Sequence, residues 1–199
     1  MRNRLSNQIK DLSIDKNEEA VIIGCLLGDA TLSKSGKFYR LRIEQKSAHK
    51  EYVEWKFNWL KRLCITPPQF SPGNNSYRFG TVGHPELSKL HSEFYGENRS
   101  INPFVLNKVN DLSIAIWFMD DGYKIHSTVG ISANNFSEAA LKQLQSLFKK
   151  LGIATSLQKD KRGKRIYIKS SSYQSFKKLV KPYISQVKCM AYKLPNPVE

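Results

Sequence analysis

Apolar residues are concentrated in two runs of similar build, one in each half of the chain. The first covers residues 21–27 and is closed by Asp29, and the second covers residues 112–119 and is closed by Asp120 and Asp121. Each run predicts a buried helix that ends on a carboxylate beside a small residue. A helix C-terminus favours cations over carboxylates, so two such ends indicate a site that holds a divalent cation with oxygen ligands.

The rest of the first half alternates between the period of a strand and that of a helix. Leu41 and Ile43 face one side of residues 38–46, and Arg40 and Arg42 face the other, which predicts a half-buried strand with a basic face. A helix, a hairpin about a Pro-Gly-Asn-Asn turn and another helix are predicted after it, at residues 48–63, 69–82 and 87–94. Before the first buried helix we expect a loose polar arm at residues 1–16, and we expect Asn17 to cap the helix.

The second half repeats this order of elements. It predicts a helix ending at Asp121, followed by a strand, a helix, a hairpin and a last helix at residues 128–133, 137–151, 156–169 and 173–184. Asp121 follows Asp29 by 92 residues, and Tyr167 follows Tyr77 by 90. The repeat predicts a duplicated unit of the order helix-strand-strand-helix-strand-strand-helix. We expect one compact body with two halves, at residues 1–103 and 104–199.

Charge points to the class of partner. The net charge is +15 and the isoelectric point is near 9.7, so an anionic partner is favoured, with nucleic acid ahead of a membrane surface. The basic residues are spread over strands and loops without an amphipathic basic helix. Cys25, Cys64 and Cys189 are too scattered for a disulfide framework or a Cys-x-x-Cys site. We expect an intracellular protein without a membrane span, in an organelle (mitochondrion or chloroplast) or in a bacterial cytoplasm.

Three segments resemble a known family. Gly24-Cys25-Leu26-Leu27-Gly28-Asp29-Ala30 and Trp117-Phe118-Met119-Asp120-Asp121-Gly122 are similar to the two signature helices of the LAGLIDADG homing endonucleases. The second has the WFMDDG form of the single-chain, mitochondrial-intron branch, and Tyr192-Lys193-Leu194-Pro195-Asn196 is similar to the C-terminal segment of that branch. The resemblance implies an α+β fold of duplicated αββαββα units. In this fold two pseudo-twofold-related halves pack their signature helices together, and their antiparallel sheets form a DNA-binding saddle.

The resemblance also implies a catalytic site at the signature carboxylates. Asp29 and Asp121 would hold Mg²⁺, or Ca²⁺ or Mn²⁺ in the same place, with Ala30 and Gly122 beside them. Two carboxylates held close together repel each other, and a metal ion with phosphate oxygens relieves this repulsion. Asp120 comes one position too early, so we expect a supporting role for it.

Four further residues are assigned to the site by the resemblance. Gln45 and Asn134 match the strand-end positions that order water. Lys193 and Arg99 match the basic residues that reach the scissile phosphate, although the family has Lys where this chain has Arg99. The sequence departs from the family elsewhere too, with Ala30 in place of Gly and Ile116 in place of a small residue.

DNA contacts are expected on the sheet faces opposite the core, because a β-surface fits the major groove and long polar side chains can read base edges. The residues whose side chains are expected on these faces are, in chain order, Arg40, Arg42, Arg78, Gln158, Arg165, Tyr167 and Lys169. Phosphate contacts that position the duplex without reading it are expected from Lys34, Lys37, Lys161, Arg162 and Lys164.

These expectations combine into a monomeric, site-specific homing endonuclease that needs no protein partner. It would cut both strands of a long, partly asymmetric double-stranded DNA site in a magnesium-dependent hydrolysis, leaving short 3′ overhangs. Two alternatives use the same fold, an RNA-binding intron maturase and a DNA-binding protein that does not cleave. The retention of both acidic residues argues against the maturase, because a maturase has no evident need for the pair, and both alternatives predict that metal is dispensable.

Overall fold

The structure, a computed structural model, describes residues 2–94, 101–161 and 163–195. Within these ranges lie two four-stranded antiparallel sheets, with strand orders β1-β2-β4-β3 and β5-β6-β8-β7. The two sheets have the same order of strands along the chain. The α+β prediction is therefore confirmed, whereas the exact boundary between residues 103 and 104 stays a prediction.

The elements of the first half, in chain order, are α1 Arg2–Lys10, α2 Lys16–Leu27, β1 Thr31–Ser35, β2 Phe38–Lys46, α3 Lys50–Leu60, β3 Gln69–Ser71, β4 Ser76–Gly80 and α4 Pro85–Phe94. The short helix α5, Pro103–Leu106, leads into the second half. The elements of that half are α6 Asp111–Asp121, β5 Gly122–Ile125, β6 Thr128–Ser132, α7 Glu138–Lys150, β7 Thr155–Asp160, β8 Gly163–Ile168 and α8 Tyr173–Ile184. No helix in the described ranges is long and apolar enough to cross a membrane.

Both signature helices, α2 and α6, begin at a capping box. The Asp15 side chain accepts hydrogen bonds from the backbone N–H groups of Asn17 and Glu18, and the Glu18 carboxylate accepts one from the Asp15 N–H. The predicted cap at Asn17 is therefore wrong by two residues, because Asp15 reaches the free N–H groups first. At the start of α6 the sequence offers Asn110 or Asp111 as the cap, and in the structure Asn110 caps the helix in the same way.

Three elements differ from the pattern-based expectations. The N-terminal arm, expected to be loose, contains the helix α1. The hydrophobic pattern does not locate strands β1 and β5 along the chain, although the repeat unit requires them. Both strands are short and begin within two residues of Asp29 and Asp121, where the signature sequences dominate the pattern.

The signature helices α2 and α6 pack directly on each other at the centre of the molecule. A Cβ atom added to Gly24 would lie 2.7 Å from the carbonyl oxygen of Ser113 and 2.9 Å from Cβ of Ile116, so the two backbones touch there. Ser113 Oγ donates a hydrogen bond to the carbonyl of Ala20 at 2.9 Å. A glycine on α2 accommodates the bulky Ile116, so this departure from the family pattern leaves the helices in close contact.

Sheet register shows which residues of the two halves correspond. Thr31 pairs with Arg42 two residues after Asp29, and Tyr123 pairs with Gly130 two residues after Asp121. Arg42 on β2 and Gly130 on β6 therefore hold equivalent positions. Three residues further along each strand, Gln45 corresponds to Ala133. The counterpart of Tyr77 is then Lys164, which is paired to Ala133 through a backbone hydrogen bond. The spacing of 90 residues between Tyr77 and Tyr167 therefore does not reflect equivalent positions.

Candidate active site

Asp29 lies between α2 and β1 with an exposed side chain. Nε2 of Gln45, near the end of β2, donates hydrogen bonds to Asp29 Oδ2 at 2.8 Å and to Asp120 Oδ1 at 3.2 Å. The backbone N–H of Asp29 donates to Asp120 Oδ2 at 3.4 Å. The first signature carboxylate is thus connected through Gln45 and Asp120 to the end of the second signature helix.

Asp120 has a buried partner in Lys56 of α3. The Lys56 Nζ atom lies 2.7 Å from Oδ1 and 3.0 Å from Oδ2, and the two side chains are 1% and 0% exposed. Burial raises the pKa of Asp120, while Lys56 acts to lower it. Burial acts most strongly on Lys56 and would lower its pKa, but the surrounding acidic groups, with Asp120 first among them, together outweigh burial and the pKa is raised. Lys56 therefore keeps its proton and supplies a fixed positive charge beneath the site.

Asp121 is the last residue of α6 and is half-buried. Burial, followed by repulsion from the neighbouring Asp29 and Asp120, raises its pKa to about 7, with Lys193 acting in the opposite direction. Asp29 and Asp121 are thus close enough for their charges to interact. Carboxylates gathered in this way are suited to a cation, which would remove the repulsion.

Lys193 lies at the same junction, in the 3₁₀ turn Lys188–Lys193, and is buried. Its Nζ donates a hydrogen bond to the backbone carbonyl of Asp120 at 2.7 Å. Burial lowers the pKa of Lys193, against the three carboxylates, which raise it. The structure therefore brings Lys193 to the carboxylates, and its predicted contact with the scissile phosphate stays a prediction.

The predicted partner of Gln45 in the second half lies elsewhere. Asn134 is in the turn after β6, and its Oδ1 accepts a hydrogen bond from the backbone N–H of Lys164 at 2.6 Å. This contact ties Asn134 to the β7–β8 hairpin, and the buried Ala133 takes the register position of Gln45. A water-ordering role for Asn134 remains untested.

The other predicted site residues are Ala30, Gly122 and Arg99. Ala30 and Gly122 directly follow the signature carboxylates and are both buried. A Cβ on Gly122 would collide with the ring of Phe118, so this position requires glycine for space. Arg99 lies outside the described residues.

The outward face of the first sheet forms a basic groove that starts at Asp29. A cavity of about 530 Å³ is lined by Asp29 together with Arg40, Arg42 and Arg78. Arg42 and Arg78 are exposed, while Leu41 and Ile43 point into the core, as the alternation predicts. The arginines are thus placed for an anionic ligand that also reaches Asp29.

Glu44 lines the same groove. It accepts hydrogen bonds from Ser76 and Asn74, which lower its pKa. The groove therefore carries one fixed negative charge among its arginines.

The outward face of the second sheet has a different character. Arg165 Nε donates to Gln158 Oε1 at 2.9 Å across β7 and β8, and Tyr167 lies opposite Gly130 on β6. The Lys164 ammonium, expected at a phosphate, donates instead to the carbonyl of Phe136 at 2.8 Å. Arg165 takes the register position of Arg78, whereas Gly130 stands where the first sheet has Arg42, so the two faces match at one position and differ at another.

Four further basic residues predicted to contact DNA are exposed, namely Lys34, Lys37, Lys161 and Lys169. Lys34 and Lys37 lie at the β1–β2 hairpin, Lys161 lies after β7, and Lys169 follows β8. Arg162 lies outside the described residues. For the exposed residues the predicted DNA contact stays a prediction.

The carboxylate oxygens at this junction fit a hard divalent cation whose coordination is completed by other ligands. Among the described residues, no three His, Cys, Asp or Glu side chains form a metal centre by themselves. Asp29 and Asp121 offer carboxylate oxygens at the junction, and Mg²⁺ commonly takes one or two carboxylates with waters and substrate phosphates. The residues present are therefore compatible with Mg²⁺ shared between protein and nucleic acid.

Comparison with known proteins identifies the family of the chain. The LAGLIDADG DNA endonuclease family matches residues 19–176, so the chain belongs to this family of DNA-cleaving hydrolases. The chain is 30% identical to the cytochrome b mRNA maturase bI2 of Debaryomyces hansenii, over 92% of this chain and 75% of that protein.

Two solved structures share the fold. The homing endonuclease I-WcaI bound to its DNA recognition sequence is 27% identical and superposes with a TM-score of 0.84, over 99% of this chain and 93% of that one. I-DmoI in complex with DNA and Mn is 18% identical with a TM-score of 0.57, over 83% and 96% of the two chains. The homing-endonuclease fold predicted from the signature helices is confirmed.

Lys56 is the residue of the site that sequence reasoning missed. The spacing of Tyr52, Trp55, Trp59 and Leu63 predicts the buried face of helix 48–63. Tyr52 and Leu63 are buried, but Trp55 and Trp59 are only partly buried, and the buried side chains of α3 are those of Tyr52, Val53, Lys56 and Leu60. The signal was present, because Lys56 lies four residues after Tyr52 and four before Leu60, on the same helix face. A lysine inside an apolar stripe indicates a buried acidic partner.

Proposed function

We propose that this protein is a homing endonuclease that recognises a long, partly asymmetric double-stranded DNA site and hydrolyses one phosphodiester bond in each strand, leaving short 3′ overhangs. The observation that supports it most is that Asp29 and Asp121, one from each half, lie close enough for their charges to interact, beside a groove lined by Asp29 and arginines. We expect it to act as a monomer in the compartment that holds its target, an organelle or a bacterial cytoplasm.

The chain's own residues divide the work of the reaction. Asp29 and Asp121 would hold Mg²⁺ with the phosphate, and Lys56 and Lys193 would hold the carboxyl end of α6 in place through their contacts with Asp120. Gln45, fixed on Asp29, is positioned to orient a water molecule near the phosphorus. The cation would lower the pKa of water and neutralise the charge that develops on the phosphate.

Sequence recognition is assigned to the two sheets. Arg40, Arg42 and Arg78 would contact one half-site, and Gln158, Arg165 and Tyr167 the other. Arginine pairs in a bidentate manner with guanine in the major groove, whereas glutamine prefers adenine. Because the two faces differ, the preferred site is expected to be asymmetric.

A randomised duplex pool in a supercoiled plasmid tests this function. The wild-type protein should linearise a subset of plasmids with Mg²⁺ and none with EDTA. Asp29→Asn and Asp121→Asn should each bind the selected site but leave it intact. Cleavage by Asp121→Asn at the wild-type rate would exclude Asp121 from the mechanism.

Intron maturation is a second candidate, because the relative that is 30% identical is named as a cytochrome b mRNA maturase. It would require binding of a structured intron RNA and would not require Asp29 or Asp121. The test is splicing of a transcript that contains the host intron, with wild type and with the Asp29→Asn/Asp121→Asn double variant. Splicing that survives in the double variant would assign maturase activity to the chain, and no stimulation of splicing would exclude it.

A further inference from the structure

The polar contacts beneath the two signature carboxylates are unequal. Asp29 is reached by two groups at once, since Gln45 donates to its side chain and Asp120 accepts from its backbone N–H. Asp120 is in turn fixed by the buried Lys56. This makes a continuous chain of hydrogen bonds from a helix of the first half, through the second half, and back to the first carboxylate.

The equivalent positions around Asp121 carry no such groups. The residue that precedes Asp29 is Gly28, whereas the residue that precedes Asp121 is Asp120. Ala133 takes the register position of Gln45. The helix that corresponds to α3 is α7, and its buried residues are all apolar, namely Ala140, Leu141, Leu144 and Phe148. The chain of contacts on Asp29 is therefore absent from the equivalent described positions of the second half.

Sterics explain why the arrangement can exist on one side only. A Cβ on Gly28 would lie 2.5 Å from Oδ2 and 2.6 Å from Cβ of Asp120, so Asp120 occupies the space that a side chain at residue 28 would need. An acid at both equivalent positions would place two buried carboxylates in the same volume. Of the described residues, Lys56 supplies the fully buried ammonium at this place, and one such charge cannot balance two carboxylates.

A duplex has local twofold symmetry, as do the two halves of the protein, so on the proposed function each signature carboxylate would face a different strand. We propose that Lys56 and Asp120 are a positioning pair for one of the two cleavage events, setting Asp29 and Gln45 in place so that the strand beside Asp29 is cut at a rate controlled independently of the other. This inference rests on the proposed endonuclease function. It adds that the two cuts differ because of the protein and not only because of the DNA sequence.

The test measures both strands separately. A duplex selected by the wild-type protein carries a different fluorophore on each strand, and cleavage of each is followed under single-turnover conditions with Mg²⁺. The variant is Lys56→Met/Asp120→Leu, which removes both charges together so that neither member of the pair is left without its partner. The expected result is that one strand slows roughly tenfold to a hundredfold more than the other, since small misplacement of a reacting group has effects of that order.

Two further variants make the result specific. Gln45→Ala, which leaves the buried pair intact, should slow the same strand, because Gln45 lies on the same chain of contacts. Lys108→Met/Glu19→Leu removes another ion pair between the halves, at the opposite end of the signature helices, and should leave the ratio of strand rates as in wild type. Affinity for the duplex in EDTA should be the same for all of these proteins.

The possible outcomes distinguish failure of the positioning role from failure of the proposed endonuclease function. Equal slowing of both strands, or an unchanged ratio, in the Lys56/Asp120 variant would overturn the positioning role while the endonuclease assignment stands. Should that double variant fail to fold, Asp120→Asn takes its place, because it removes the charge of the pair and keeps the shape of the side chain, and an unchanged ratio in Asp120→Asn would overturn the positioning role. Failure of the wild-type protein to cut any duplex would overturn the proposed function, and this inference with it.

Discussion

Gly28 and Asp120 hold the same position in the two signature sequences, and the space beside Gly28 is filled by the carboxylate of Asp120. Asp120 can be buried at this place only because Gly28 has no side chain. The buried ion pair between Lys56 and Asp120 therefore depends on glycine at residue 28.

Gly28→Ala should accordingly destabilise the protein. The new methyl group would have to displace the Asp120 carboxylate, and overpacking of this kind costs about 1–3 kcal/mol. Gly73→Ala is the matched control, because no atom lies within 4 Å of the position of its Cβ. Urea unfolding measures both, and equal midpoints for the two variants would contradict the close contact at residue 28.

The ion pair predicts a non-additive pair of substitutions. Lys56→Met alone leaves the Asp120 carboxylate buried without a counter-charge and should lower the free energy of unfolding by about 3–5 kcal/mol. Lys56→Met/Asp120→Leu should be more stable than Lys56→Met, since both charges are gone. A double-mutant cycle in urea measures the coupling, and strictly additive effects would show that the two groups do not interact.

The pKa of Asp121 predicts how stability depends on pH. It lies at about 7 in the folded chain, above the ordinary value of 3.8, so between these values the folded state holds a proton that the unfolded chain has lost. The free energy of unfolding contributed by this group therefore falls as pH rises from about 4 to about 7. Asp121→Asn removes that dependence, so the variant should be more stable than wild type at pH 8.

The measurement is a series of unfolding curves between pH 4 and pH 8 in EDTA. The difference between Asp121→Asn and wild type should grow with pH over that interval and then level off. Parallel stability profiles for the two proteins would show that Asp121 titrates as an ordinary carboxyl.

The basic groove predicts a salt-dependent affinity for duplex DNA. Replacing one phosphate-binding side chain by Ala should reduce the slope of log affinity against log salt by roughly 0.9. Where Arg42 or Arg78 contacts a base instead, the substitution to Ala should weaken binding of the selected site more than binding of a random duplex. Lys178→Ala, which changes an exposed lysine of α8, is the control and should bind like wild type.

The elements predicted correctly from the sequence are those whose pattern is fixed by burial. Residues 21–27 and 112–119 are apolar almost throughout because α2 and α6 are covered on all sides, and the alternation around Leu41 follows from a sheet with one covered face. Short strands such as β1 and β5 are held by pairing with a neighbour, and pairing leaves little trace in the order of residues.

In the candidate site too, the residues that could be predicted are those marked by a local sequence pattern. Asp29 and Asp121 could be found because each closes a helix of recognisable pattern. The contact between Asp120 and Lys56 joins residues 64 positions apart, from different halves, and no local pattern encodes it. Asn134 lies one residue beyond the register position of Gln45, because counting along the chain does not give the register by which β6 meets β8.

The close contact of Gly24 with Ser113 packs together two buried helices, and both signature carboxylates lie at the C-terminal ends of these helices. Substitutions that alter the carboxylates or their supports disturb the hydrophobic centre as well, so this part tolerates little change. Arg42 and Arg78 stand on the open side of a sheet and can be exchanged without repacking the core. Recognition of a new DNA sequence would therefore require substitutions on the exposed strand faces, while the carboxylates and their supporting residues stay unchanged.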